Sequence, residues 1–576
     1  MTLHWHDWSD AAFEQARERG VPVLLVVHAH WCRFSRELER RVLRDASVVE
    51  RIERGFVAIS VEKSRRPDIA VRYSRGGWPT LAFLDEQGEL FASEGFLEPE
   101  ELAARLDLIE RYWRAECGSL RARLAQRAGL GESGAVARAE LKPELLAEIG
   151  AHLLETSDPY HGGWGSQHKF PHPESLDFAL LRWSQTGDEA LRKLVLRTLR
   201  NMQSGEIHDR VEGGFYRYST APDWSGPHHE KVLDGNAERL RSYLEGYQAL
   251  GDASFKTTAE GVLDWMQTTL LDRETGAFRG SQDADPVYAH LRTREARAQH
   301  GAPECDPTIF AHANACAASA LFLAGDVLER PECTEQAVRT LEFVLDALCE
   351  PRDGVLHYWD GVAHLPGLLT DQAYVLRALL DAAEHTGRAR YVAAAEALAR
   401  KTCEQLWSHE GGFWDTRHDP GARGSLRRRE RSLADNARMA EALLRLSCIT
   451  HEPRWRELAR ETLESFAGEF KRQGHAMSLY ARAASLLMHP PVHVAIVGAP
   501  ERDDTRALQR AALAPYLAHR IVQLVDPADR LTLERLELPW EGGGAHAYVS
   551  RGRASYADTA DAQRLPSLMA RVESAV

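Results

Sequence analysis

The sequence predicts a multidomain chain, α/β at both ends and all-α between them: an α/β domain, a closed ring of helical hairpins, and a small C-terminal α/β segment. Three observations carry this. Apolar runs of strand length lie near the ends, at Pro22 to Val27, Phe56 to Val61, Thr80 to Leu84, Val492 to Val497 and Arg520 to Val525, as buried strands do. Glycine and aromatic turns recur between them, at Gly162-Gly163-Trp164, Gly213-Gly214-Phe215, Gly276-Ala277-Phe278, Asp353-Gly354-Val355 and Gly411-Gly412-Phe413-Trp414. Tight turns alternate with these at Gly187, Gly251, Gly387 and His451, and 64 residues separate the first two and also the last two. A period of that length is one helical hairpin plus a long return loop.

Composition bounds the function. The 576 residues, 44% hydrophobic and 27% charged, suffice for more than one core. A net charge of -14 and a pI near 6.0 argue against nucleic acid or anionic membrane as the main partner, since both are held by clustered Lys and Arg. The run Arg427-Arg428-Arg429 reads as a solvated loop. The N-terminus lacks a basic-then-apolar signal pattern, and no window reaches the roughly 18 apolar residues of a membrane span, so a cytosolic location is expected. Eight cysteines without CxxC or Cys/His spacing suit a reducing compartment and imply neither metal nor cofactor.

In the first domain a helix from Trp8 to Arg19 precedes the first strand, and Trp31-Cys32-Arg33-Phe34-Ser35 opens a helix running through Arg44. Cys32 stands where a strand turns into a helix, so the helix dipole favours its thiolate. It is the redox candidate. Gly76-Gly77-Trp78-Pro79, a position suited to a cis proline, precedes the third strand, and a fourth follows the turn at Gln87-Gly88. With a closing helix from Pro99, this is the thioredoxin-like order. It is assigned residues 1–115, with a linker over 116–140.

Residues 141–490 form the ring, with helices expected near 141–156, 172–186, 189–203, 228–250, 253–271, 310–329, 332–350, 368–386, 389–407, 433–449, 453–470 and 475–489. These make five hairpins plus a first and a last helix able to pair as a sixth. Each hairpin alone leaves an apolar face exposed, so closure into an (α/α)6 toroid is favoured. The small α/β segment takes 491–576; Gly498-Ala499-Pro500 after its first strand lacks the glycines of a nucleotide-binding turn.

The collinear series Trp31-Cys32, Gly76-Gly77-Trp78-Pro79, His168-Lys169-Phe170-Pro171-His172-Pro173, Gly213-Gly214-Phe215 with Arg217-Tyr218-Ser219, Pro227-His228 with Glu230-Lys231, Asp283-Ala284-Asp285 and Gly411-Gly412-Phe413 resembles the spermatogenesis-associated protein twenty family. The resemblance implies an N-terminal thioredoxin-like domain and a six-hairpin glycosidase-like domain, and the ring is also similar to the N-acylglucosamine 2-epimerase group. Two departures stand out. The family's Cys-His-Trp-Cys is Cys32-Arg33-Phe34-Ser35 here, and its C-terminal cysteine pair is replaced by Ser550 and Ser555. A dithiol cycle needs the second thiol to release the mixed disulfide. The first domain therefore reads as a structural or protein-docking module, with Cys32 at most a monothiol.

The alternation of turns places the starts of the inner helices and the long aromatic loops at one end of the ring, which is where a site is expected. On the helix expected after Pro227, His229, Leu233, Asn236 and Leu240 share one face. Asp209, Glu230, Asp283 and Asp371 are the carboxylates to test for glycoside hydrolysis, which needs two carboxyl groups flanking the scissile bond. Sugar epimerisation or isomerisation needs a base near neutral pKa, and His229 and His312 lead there, with His208 and His172 behind. The catalytic set is thus Asp209, His229, Glu230, Asp283 and Asp371. Trp164, Lys169, Tyr216, Arg217, His312, Trp359 and Trp414 are the substrate-binding candidates, because aromatic faces among polar groups suit a sugar ring. The expected function is a cytosolic hydrolase or epimerase acting on a small carbohydrate or sugar derivative. The alternative is a non-catalytic redox-linked or protein-binding scaffold.

Overall fold

The computed structural model describes residues 3–129, 138–468, 470–540, 542–552 and 554–574. The chain forms two compact units: the first is Met1–Ala135 with Ser281–Pro286 and Thr416–Glu430, and the second is the remainder.

In the first unit, strands β1 (Val23–His28), β2 (Val57–Glu62), β3 (Thr80–Leu84) and β4 (Leu90–Glu94) form a sheet of order β2-β1-β3-β4, with β1 and β2 parallel and the other neighbours antiparallel. Alternate side chains of β1 point to opposite faces, so Leu24 and Val26 enter one core while Val23, Leu25 and Val27 enter another. Helices α1 (Asp10–Arg19), α2 (Arg33–Arg40), α3 (Ala46–Gly55), α4 (Pro67–Tyr73) and α5 (Pro99–Gly129) complete the thioredoxin-like order, and Trp78–Pro79 is cis. The linker expected from residue 116 is helical as far as Gly129; residues 130–137 lie outside the described residues. Thr416–Glu430 belongs to this unit through real contacts. Tyr73 Oη donates to Gly88 O (2.7 Å) and accepts from Ser425 N (3.0 Å), while the Arg72 guanidinium donates to the carbonyls of Ser425 and Arg428. The arginine run is therefore docked rather than simply solvated: Arg427 is exposed, Arg428 and Arg429 half-buried.

The second unit contains the toroid. Inner helices α7 (Pro173–Thr186), α9 (Leu233–Leu250), α13 (Ala311–Val327), α15 (Leu369–Thr386), α17 (Leu433–Thr450) and α19 (Ala476–Met488) touch in that order, and α19 touches α7 to close the ring. The outer helices are α6 (Glu144–Thr156), α8 (Glu189–Ser204), α10 (Ala253–Trp265), α14 (Pro331–Leu348), α16 (Ala389–Leu406) and α18 (Pro453–Glu464), and α6 packs on α19 as the sixth hairpin. Short helices α11 (Pro286–His290) and α12 (Arg294–His300) lie in the loop before α13. Two stretches differ from expectation. Residues 228–232 are extended, because Pro227–His228 pairs antiparallel with Tyr218–Ser219, so His229 precedes α9 and shares no helical face with Leu233, Asn236 and Leu240. Trp359 ends a strand, Gly354–Trp359, paired with Ala363–Pro366.

One device recurs where long loops meet inner helices. The Asn236 amide accepts from Phe215 N (2.6 Å) and donates to Phe215 O (3.0 Å). Asn314 does the same to Phe278, Gln372 to Val355 and Asn436 to Phe413. Each clamp lets a buried loop backbone pair both its polar groups. Gly213 (φ 87) must be glycine for space as well as for φ: a Cβ there would meet the Gly261 carbonyl oxygen at 2.0 Å. Asn436→Ala is expected to cost about 2–4 kcal/mol, since it strands a buried N–H and C=O together, and urea unfolding will read it as a lower midpoint. The polar starts of α9, α13 and α17 are thus partly structural.

At the opposite ends the inner helices stop at left-handed Gly187, Gly251, Gly387 and His451 (φ 57). The C-terminal segment holds strands β5 (Val492–Val497), β6 (Arg520–Val525), β7 (His546–Arg551) and β8 (Ala554–Thr559) in the order β6-β5-β7-β8, with helices α20 (Asp503–Leu513), α21 (Arg530–Arg535) and α22 (Leu565–Ser574). Strand order, strand directions and the closing helix all repeat the first unit. Ser550 and Ser555 face each other in the register of β7 and β8; the Ser555 side chain lies outside the described residues. Residues Pro515 to Ile521 of this segment line a cavity of about 110 Å³ with the C-terminal parts of the inner helices, closing that end of the ring. His519 is buried there against Ser485 Oγ (2.9 Å), and burial pushes its pKa down to about 3; burial likewise lowers His493 to about 4. The unfolded chain takes up these protons first, so the contribution is whole above pH 6.5 and is lost as pH falls toward 4 and 3. Urea titrations at pH 7 and pH 4.5 are expected to differ by on the order of 5 kcal/mol from these two groups.

Candidate active site

The first turns of the inner helices bring a linked set of titratable groups to the long-loop end. Asp371, in the first turn of α15, is fully buried. Its carboxylate accepts from His357 Nδ1 (2.9 Å) and from the His312 backbone N (3.2 Å), and His312 Nδ1 lies 3.5 Å away. Burial works to raise the Asp371 pKa, but the His357 and His312 imidazoles outweigh it and keep the carboxyl below its ordinary value. The two rings lie parallel, 5.5 Å apart, and His312 is 22% exposed. The edge of Tyr374 approaches His312 at 6.0 Å, and Tyr374 Oη donates to Glu238 Oε1 (3.1 Å). Arg438 covers the Tyr374 ring at 4.8 Å and stands 3.9 Å from Glu238. Burial raises the Glu238 pKa, with the Arg438 guanidinium opposing it.

On α7 and α19 a second group forms. His172 Nδ1 meets Glu174 Oε1 (3.0 Å), its ring stacks on His475 at 3.5 Å, and His475 Nδ1 bonds Ser175 Oγ (2.9 Å). Burial and then His172 push His475 down to about 4, so it is neutral at pH 7. Burial opposes ionisation of Glu174, yet His172 brings its pKa below the ordinary value. Glu174 and Glu238 line one pocket with Arg438. Both groups, His312-His357-Asp371 and His172-Glu174-His475, place three metal-capable atoms within 4.8 Å of one another.

Below the mouth the ring axis is filled by ion pairs: Arg482 with Asp177 (2.8 Å) and Glu441 (2.9 Å), Arg445 with Asp381 and Glu384 (both 2.7 Å), and Arg241 with Glu245 (2.7 Å). Arg241, Arg445 and Arg482 share with Glu174, Glu238 and Arg438 a single pocket of about 50 Å³, room for a water or two but not a sugar ring, so a sugar can meet Glu174, Glu238 and Arg438 only from the mouth above.

The structure distributes the candidates from the sequence instead of gathering them. Asp371 and His312 meet at the mouth. Asp209, Tyr216 and His229 line a separate pocket of about 550 Å³. There Asp209 is locked by Lys231 Nζ (2.7 Å) and a two-pronged Arg297 contact (2.7 and 3.0 Å), which hold its carboxyl well below the usual range against the opposing effect of burial. Glu230 is buried beside Arg217 (3.4 Å) and His228 (3.9 Å). Asp283 belongs to the first unit, bonded to Arg36 and to His30 Nδ1 (3.2 Å). Lys169 is fully buried on Asp158 and Pro222 O (both 2.6 Å), and Trp164 is buried with its N–H on Leu153 O (3.1 Å), so neither offers a face to a ligand. Trp359 packs edge-on against Phe343 at 5.5 Å, and half-buried Trp414 continues the clamped turn. In the first unit Cys32 is buried, with Sγ 3.7 Å from Trp78 O. Glu174, Glu238, Arg438, His357 and His475 were missed. A signal existed: Glu238-Arg241-Glu245, Arg377-Asp381-Glu384 and Arg438-Glu441-Arg445 put charges at three- and four-residue steps on otherwise apolar helices.

This architecture defines a chain with a thioredoxin-like domain and an (α/α)6 toroid. The family model Thioredox_DsbH, described as a protein of unknown function (DUF255), matches residues 1–126. The chain is similar to spermatogenesis-associated protein 20 of Homo sapiens, 23% identical over 715 residues, covering 98% of this chain and 90% of that protein. To the Rattus norvegicus protein of the same name it is 23% identical over 676 residues, covering 93% and 85%. The resemblance read from the motifs thus spans nearly the whole chain. Among solved structures, cellobiose 2-epimerase from Spirochaeta thermophila is 15% identical and covers 60% of this chain and 99% of its own, with a TM-score of 0.47. The GH76 α-mannanase of Bacteroides thetaiotaomicron is 12% identical and covers 59% and 95%, with a TM-score of 0.44. Among the described residues no helix is long and apolar enough to cross a membrane.

Proposed function

We propose that the toroid of this cytosolic protein moves a proton on a small carbohydrate, as a sugar epimerase or isomerase does, at the long-loop mouth. The observation that carries the reading is the buried Asp371 carboxylate held between two imidazoles, one of which, His312, is partly exposed. With Nδ1 turned to Asp371, His312 keeps Nε2 for a proton on the carbon beside a carbonyl. Asp371 stabilises the imidazolium as it forms. Arg438, over the Tyr374 ring that meets His312 edge-on, supplies positive charge for the enediolate oxygen. The first domain, lacking a resolving thiol, serves as a docking module.

The test is a panel of aldoses and ketoses in D2O followed by proton NMR, with oligosaccharides assayed in parallel for new reducing ends. Exchange at the carbon beside the carbonyl supports the epimerase. New reducing ends without exchange would replace it with a hydrolase using Glu238 as acid and Glu174 as the second carboxyl. The ion pairs filling the axis favour a second reading, a non-catalytic scaffold, and silence in both assays would leave that one standing.

A further inference from the structure

The pocket of about 550 Å³ between the loops before α9 and α13 has no part in the chemistry proposed for the mouth. Its size lies within the range of about 300–1,000 Å³ that small-molecule sites occupy. Its charge is unusual for a chain of net charge -14. Three arginines, Arg210, Arg292 and Arg297, line it, with His208, His229 and His290.

Two of the three acids at the pocket are neutralised by cations, and the third, Glu206, has a backbone partner. Asp209 is neutralised twice, by Lys231 and Arg297, and Glu212 accepts from Arg297 (3.0 Å) and from Tyr288 Oη (2.6 Å). Glu206 accepts from the Gly226 backbone N (3.0 Å). Arg210 donates to the Ser204 carbonyl (3.0 Å), and among the described residues neither it nor Arg292 has a carboxylate within 4.0 Å. His229 and His290 stand edge to face, 5.5 Å apart, and Tyr216 meets His229 edge-on at 5.0 Å. The pocket therefore presents the exposed guanidinium groups of Arg210 and Arg292 and the His229 imidazole, two cations against the single lining carboxylate, Glu206, that has no cation beside it among the described residues.

We infer that this pocket binds the anionic group, a phosphate monoester or a carboxylate, of a small polar metabolite. Guanidinium forks match both groups bidentately, and the aromatic edge of Tyr216 with the two imidazoles accommodates a compact ring or chain beyond the charge. Burial and then His290 hold His229 down to about 4. A bound anion adds the charge that favours imidazolium, so binding draws in protons.

Isothermal titration of the full chain at constant ionic strength decides this, using inorganic phosphate, glucose 6-phosphate, glucuronate and neutral glucose as probes. The comparison is with the R210S/R292S double variant, in which both substituted side chains are exposed, and with His290→Gln as a milder change. The expected result is saturable binding of at least one anionic probe and none of glucose in this pocket. Binding should weaken by about 10-fold or more in the double variant, with an intact circular dichroism spectrum. Preference between glucose 6-phosphate and glucuronate identifies the group. No saturable binding of any anionic probe, glucose binding as tightly as glucose 6-phosphate, or an unchanged Kd in both variants would overturn the assignment. None of the substituted residues lies among the mouth groups, so D2O exchange is expected to persist in these variants.

Discussion

His312→Gln is expected to lower proton exchange into sugar by about 10³-fold, the scale on which a positioned general base acts, while the unfolding midpoint moves little. His312 is partly exposed, and its backbone N–H to Asp371 survives the substitution. Asp371→Asn tests the partner differently. An amide keeps the volume but not the charge that stabilises an imidazolium forming in the reaction, so kcat is expected to fall by about 10-fold or more with KM little changed. A residue with only a packing role would lower stability and leave kcat in place. Equal turnover in His312→Gln and the parent would remove His312 from the reaction and shift attention to His172 and His475, the other imidazole pair at the inner helix starts.

Much of the fold was legible because it repeats. Glycine must occupy left-handed corners such as Gly187, Gly251 and Gly387, and glycine and aromatic residues mark the return loops, so counting turns counted hairpins. The site was less legible for a physical reason. Asp209 and Asp371 carry the same expectation from the sequence, each a carboxylate at the long-loop end of the ring. What separates them is which partners the fold supplies: Lys231 and Arg297 for one, His357 and His312 for the other. Arg297 comes from α12, 88 residues beyond Asp209, and no local spacing announces such a pairing. The clamp amides misled in the opposite direction, since Asn236 and Asn436 sit where ligand contacts were expected and spend their hydrogen bonds on the loop backbone.

Asp209→Ala is accordingly expected to destabilise the second unit by about 3–5 kcal/mol, the cost of stranding buried charge. Lys231 and Arg297 are 2% and 1% exposed. The carboxylate between them neutralises an ammonium that also donates to Gly213 O (2.7 Å) and a guanidinium that also reaches Glu212. Removing it leaves two cations facing each other without water to screen them, so urea unfolding should show a markedly lower midpoint. Replacing Lys231 by Met in the same chain should restore part of the loss, because one of the stranded charges is then gone; the double-mutant cycle measures the coupling. The sign with pH follows from the depressed Asp209 pKa: its contribution is present above about pH 4 and is lost as pH falls below that. The opposite pattern, an unchanged midpoint with turnover abolished, would return Asp209 to the catalytic role its sequence position suggests and move the reaction from the ring mouth to the loop pocket.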